Sequence, residues 1–74
     1  MSEENQTIRL GQFLKWVGAV PTGGQAKLVV QGGQVKVNGM LETRRGRQLI
    51  SGDLVTFQGK TYEVELERWG YFVE

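Results

Sequence analysis

Thr22-Gly23-Gly24-Gln25-Ala26-Lys27-Leu28-Val29-Val30-Gln31-Gly32-Gly33-Gln34-Val35-Lys36-Val37-Asn38-Gly39 carries, in order, a helix start, a helix stop and a strand running into a turn. Thr22 and Gln25 have the spacing of a capping box, in which hydroxyl and amide side chains satisfy exposed backbone donors, so a helix begins here, just after Pro21. Ala26, Val29 and Val30 form its buried face, Lys27 points away, and Gly32-Gly33 ends it. Two glycines in the first turn weaken such a helix by about 1 kcal/mol each relative to alanine, so something else favours them. Close approach of a backbone is the expected reason, either the protein's own first helix or a phosphate resting on bare N–H groups. Val35 and Val37 then alternate with an outward Lys36, and Asn38-Gly39 supplies the positive φ angles of a type I′ hairpin turn.

Upstream, Leu10, Phe13, Leu14 and Val17 recur at the i, i+3, i+4, i+7 spacing of an amphipathic helix, predicted over about Leu10 to Val17 with Gly18 as its cap. Trp16 lies off this stripe and either packs against a neighbouring segment or offers a stacking platform for a base. Downstream, a return strand is expected from Met40 to about Thr43, followed by the loop Arg44-Arg45-Gly46-Arg47. Glu42 is the one acid near these three guanidiniums, so solvent or a ligand must satisfy part of them. Ser51-Gly52-Asp53 reads as a turn before a strand from Leu54 to Phe57. A turn at Gln58-Gly59 and a strand with Tyr62, Val64 and Leu66 on one face and acids on the other complete a C-terminal hairpin. The aromatic end, Trp69-Gly70-Tyr71-Phe72-Val73, is expected to pack over the small core, or else to bind a partner as a strand. The pattern is α+β.

With 74 residues the chain has room for one domain, expected over 9–74, after a disordered acidic stretch over 1–8. A domain of this size buries roughly 60% of its unfolded surface, so each apolar stripe matters and no large catalytic cleft is expected. Cysteine and histidine are both absent, which removes disulfides, thiolate nucleophiles, imidazole bases and the usual zinc ligands. No apolar run approaches the ~20 residues of a membrane span, and the polar start is unlike a signal peptide. A cytoplasmic protein with neither metal nor cofactor is the expectation.

The formal net charge of +1 hides an uneven distribution. Arg9, Lys15, Lys27, Lys36, Arg44, Arg45, Arg47 and Lys60 face only Glu42 and Asp53 between positions 9 and 60, a net of +6, whereas both ends are acidic. So dense a basic middle suggests a polyanion partner.

The helix, the Thr cap, a second helix with a basic residue directly after Ala26, Gly33-x-Val35-x-Val37-Asn38-Gly39, and then a twelve-residue interval to Gly52-Asp53 together resemble the S4 (alpha-L) RNA-binding domain. The resemblance covers about Leu10 to Phe57 and points to the small stand-alone members of that family. It implies two short, roughly orthogonal helices packed on a small, mostly antiparallel sheet, with RNA held by the second helix and the adjoining hairpin. Carried over by position, Thr22 stands for the family's serine cap, Lys27 for the basic residue after the alanine, and Lys36 and Asn38 for the hairpin. Gly23 departs from the arginine common after that cap, and Arg44-Arg45-Gly46 from a frequent acidic-Pro-Ser segment. A phosphate contact is therefore expected to have moved from the helix start to the loop.

Because a guanidinium fork matches phosphate oxygens and stacks on bases, Arg44, Arg45 and Arg47 are the principal candidates, followed by Lys27, Lys36 and Lys15, with Thr22, Gly23, Gly24 and Asn38 beside them. Ribosomal or transfer RNA is the expected target, association with the ribosome is anticipated, and a rigid basic face would read shape and backbone more than base sequence. Neither a membrane nor a small-molecule substrate is expected. Catalysis finds no support: Asp53, the only aspartate, fits turn chemistry, and Gly23-Gly24 lacks the Gly-Lys-Ser/Thr ending of a phosphate-binding loop. The alternatives are a protein-interaction adaptor using the aromatic tail and, more distantly, DNA binding.

Overall fold

The computed structural model describes residues 6–66. Two helices and six strands follow in the order β1 (Ile8–Arg9), α1 (Leu10–Trp16), α2 (Gly23–Gln31), β2 (Val35–Val37), β3 (Met40–Leu41), β4 (Gln48–Leu49), β5 (Leu54–Phe57) and β6 (Lys60–Glu63). The class is α+β, as the hydrophobic periodicities indicate. Among the described residues no helix is long and apolar enough to cross a membrane.

Both helices end in the same way. After α1, the Gly18 amide donates to the Lys15 carbonyl and the Ala19 amide to that of Leu14; after α2, Gly33 donates to Val30 and Gln34 to Val29. These paired bonds are the Schellman motif, which needs a left-handed residue after the helix, and Gly18 and Gly33 supply it with φ of 81° and 79°. At the start of α2 the Thr22 hydroxyl accepts from the Gln25 amide at 3.1 Å, so the predicted cap is in place. Helix α1 has no side-chain cap. Its first amides are instead satisfied from across the fold, Leu10 donating to the Arg47 carbonyl and Gly11 to that of Arg45, both at 2.9 Å.

The four-stranded sheet has the order β3-β2-β5-β6, antiparallel throughout, and β1 pairs with β4 in a separate two-stranded ladder. Positive φ at Asn38 (53°) and Gly39 (83°) builds the tight turn between β2 and β3, and Gln58-Gly59 repeats it between β5 and β6. Val35, Val37, Val55 and Phe57 face inward and pack with Leu10, Phe13 and Leu14 of α1 and Ala26, Val29 and Val30 of α2 in one core. The Phe13 ring meets Tyr62 edge-on at 6.5 Å.

Two strand boundaries and one ladder differ from the sequence expectation. Strand β3 stops at Leu41 rather than near Thr43, because the Glu42 side chain turns inward and takes up the following residues. Strand β6 stops at Glu63, yet Val64 and Leu66 remain buried, the Leu66 amide donating to the Ser51 hydroxyl. The β1–β4 ladder corrects the expectation of disorder over 1–8 at its last residue: two-residue strands are too short to show a period, yet Ile8 is buried against Leu49. Gln6 and Thr7 are exposed. Residues 1–5, most of the expected acidic tail, and the aromatic segment 69–74 lie outside the described residues.

Candidate nucleic-acid interface

The stretch 42–47 shows how a short sequence builds a charged surface. Glu42 stays opposite Val35, its amide donating to the Val35 carbonyl at 3.0 Å, and strand alternation therefore turns its side chain inward. It is 6% exposed, the buried charge among the described residues. Its carboxylate accepts from the Arg44 amide (3.0 Å), Arg44 Nε (2.9 Å), Arg44 Nη2 (3.3 Å) and Arg47 Nη1 (3.0 Å). The Arg44 guanidinium is the chief reason that the Glu42 carboxyl is lowered from 4.5 to about 2; burial opposes this, and the Arg44 amide and Arg47 reinforce it. Arg44 is correspondingly raised by the same carboxylate.

The three loop arginines are thus unequal. Arg44 and Arg47 share one carboxylate, whereas the Arg45 side chain has no carboxylate partner among the described residues. The ion pairs between described residues both end on Glu42. The expectation that solvent or ligand must satisfy the surplus holds for Arg45 and for the remaining donors of Arg44.

Arg45 lines a cleft of about 370 Å³ between the loop and the starts of both helices. Arg9 and Lys15 are the other two cations on its wall, Gln12 adds an amide, and Gly11, Gly23 and Gly46 complete the lining. Among the described residues no acidic side chain lines it. A methyl group on Gly11 would make ordinary contact with the loop, 3.5 Å from the Arg45 carbonyl oxygen, while one on Gly23 would meet nothing within 4 Å. Packing against the protein's own first helix therefore does not require a glycine at position 23.

Of the sequence candidates, Lys15, Gly23 and Arg45 meet at the cleft. Thr22 and Gly24 flank Gly23, and Lys27 follows it by one helical turn on the exposed side of α2. Lys36 stands elsewhere, on the outer face of the sheet, opposite Leu41 and Thr56. Asn38 is engaged within the fold: its Nδ2 donates to Asp53 Oδ1 (3.1 Å) and its Oδ1 accepts from the Leu54 amide (2.9 Å). Asp53 Oδ2 in turn accepts from the Ile50 amide, the turn chemistry expected of it. Arg9 lines the cleft although the sequence marks it only as one charge among eight. Its signal was faint, an outward position next to a buried Ile8 in a two-residue strand, with Gly11, Gln12 and Lys15 sharing one helix face beyond it.

A small α+β domain whose basic cleft, walled by a helix pair and an arginine loop, shows no acid among the described residues has the charge distribution that suits a polyanion. The sequence model of the S4 domain matches residues 1–65. The chain belongs to the S4 domain family. It is 41% identical over 59 residues to the probable ribosome maturation protein RlbA of Bacillus subtilis, covering 80% of this chain and 83% of that one. It is 39% identical over 57 residues to the putative RNA-binding protein YbcJ of Escherichia coli, covering 77% and 81%. In structure it resembles heat shock protein 15 of Vibrio cholerae, solved as a trimer, with a TM-score of 0.71 at 23% identity over 81% of this chain and 64% of that one. At that identity the likeness bears on fold alone.

Proposed function

We propose that this chain is a non-catalytic RNA-binding protein that grips folded RNA, of the ribosomal or transfer class, by its phosphate backbone at the Arg9–Lys15–Arg45 cleft. The observation that carries the reading is the cleft itself: Arg9 and Lys15 from the β1–α1 stretch and Arg45 from the distant loop converge on one hollow that has glycines and, among the described residues, no acid in its lining. Cations brought together by folding repel one another and cost stability, so their convergence calls for an anion. Glycines let a phosphate approach bare backbone. The family and the names of the RlbA and YbcJ relatives support the same reading.

In this reading Arg45 is the principal phosphate fork, with Lys15 and Arg9 beside it, and Thr22, Gly23 and Gly24 border the bound strand. Lys27, Arg44 and Arg47 extend the contact along the backbone, and Lys36 and Asn38 lie at its margin. The resemblance of these side chains to a set of point charges and forks favours shape over base identity, since the major groove of A-form RNA hides its base edges. A cytoplasmic protein working on ribosomal RNA fits these features. The adaptor alternative rests on residues 69–74, outside the described residues.

The test is a titration of ribosomal RNA fragments against Arg45→Ala and, as control, Lys60→Ala, a cation of β6 that does not line the cleft. The expected result is a loss of about tenfold for Arg45→Ala, the equivalent of one charge-assisted phosphate contact, and little change for Lys60→Ala. Equal effects would reject the cleft as the site.

A further inference from the structure

Arg44, Arg45, Gly46 and Arg47 put three like charges into four residues, yet the loop is held at several points. Glu42 grips its two ends through Arg44 and Arg47, the Arg47 amide closes the turn on the Arg44 carbonyl at 3.1 Å, and the Arg45 and Arg47 carbonyls receive the first amides of α1. The last of these contacts matters most for the cleft. The Arg45 carbonyl that accepts from Gly11 fixes the residue whose side chain lines the hollow, and Gly11 lines it from the other side. Without an internal counter-ion, three neighbouring guanidiniums would repel and spread the loop.

We infer that Glu42 is a positioning residue for RNA binding: an internal counter-ion that clamps Arg44 and Arg47 so that Arg45 is presented to the cleft. The inference rests on the function proposed above. It has a consequence opposite to that of charge counting. Neutralising an acid within a polyanion-binding face ordinarily strengthens attraction. Here neutralisation weakens binding, because the oriented arginine is lost along with the acid.

The experiment compares Glu42→Gln, nearly isosteric and neutral, with Glu42→Asp, which keeps the charge but shortens the reach by one methylene and guards against a Gln variant that does not fold. Two quantities are measured on the full chain: affinity for a ribosomal RNA fragment, and hydrogen exchange at the Leu10 and Gly11 amides. Both variants are expected to bind about tenfold more weakly and to exchange faster at Leu10 and Gly11 than at core amides such as Val37. The affinity loss from Glu42→Gln should vanish on an Arg45→Ala background and persist on a Lys36→Ala background, a pattern that general destabilisation would not give. Tighter or unchanged RNA binding by Glu42→Gln would overturn the inference, as would equal losses on the two backgrounds. If the unmodified chain binds no RNA, the function reading fails and takes the RNA part of this inference with it. Exchange at Gly11 then still decides the clamp, unchanged exchange overturning it.

Discussion

Glu42 and Asn38 show how polar side chains divide between building the surface and serving it. In the sequence, Glu42 is a lone acid beside three arginines, which identifies a partner for them but not how it is shared. The sharing follows from one geometric fact, that Glu42 remains in register with Val35 and therefore faces inward. Its lowered carboxyl gives a pH signature with a definite sign. The group holds its proton less tightly in the folded chain (about 2) than at its ordinary value of 4.5, so its contribution is complete above the ordinary value and is lost as the pH falls towards 2. Because the Arg44 side chain is 75% exposed, solvent screens the pair and the contribution is small. Urea unfolding followed from pH 6 to pH 2 should show this loss in the native chain and not in Glu42→Gln. Asn38 was legible as a turn residue, since its neighbour is Gly39. Its second task, bridging to Asp53 fifteen residues on, depends on how β2 and β5 pair and leaves no local trace.

At the scale of elements, the helices and both hairpins were readable because each carries its own punctuation. Thr22 opens α2, Gly18 and Gly33 close the helices, and Asn38-Gly39 and Gln58-Gly59 turn the hairpins. The β1–β4 ladder was not readable. Its four residues carry no period, and it exists because the Arg44–Arg47 loop docks on the start of α1. The hairpin turn supplies a test of how much the Asn38 bridge contributes. Asn38→Gly keeps the positive φ and removes only the side-chain bonds to Asp53 and the Leu54 amide, so a loss of about 1 kcal/mol is expected. Asn38→Ala also forces a left-handed alanine and should cost about 1 kcal/mol more. Thermal unfolding of the pair separates the two effects. Equal losses would show that the φ of 53° carries no strain for alanine.

For the whole molecule, the excess of cations between positions 9 and 60 was plain in the sequence, but its geometry was not. Folding splits that excess: Arg9, Lys15 and Arg45 are brought to the cleft, Arg44 and Arg47 are held by Glu42, and Lys36 is carried to the outer face of the sheet. Which cations meet is set by the docking of a loop on a helix start, a contact between distant parts of the chain. The central claim, that the converged three form the main electrostatic contact to RNA, is tested most directly by the salt dependence of affinity. With about five phosphates engaged, log affinity should fall with log salt at a slope between about −3.5 and −4.5, and Arg9→Ala/Lys15→Ala/Arg45→Ala should flatten that slope by about 2 to 3 while leaving the circular dichroism spectrum unchanged. A triple variant that retains the native slope, or a native chain whose binding ignores salt, would contradict it.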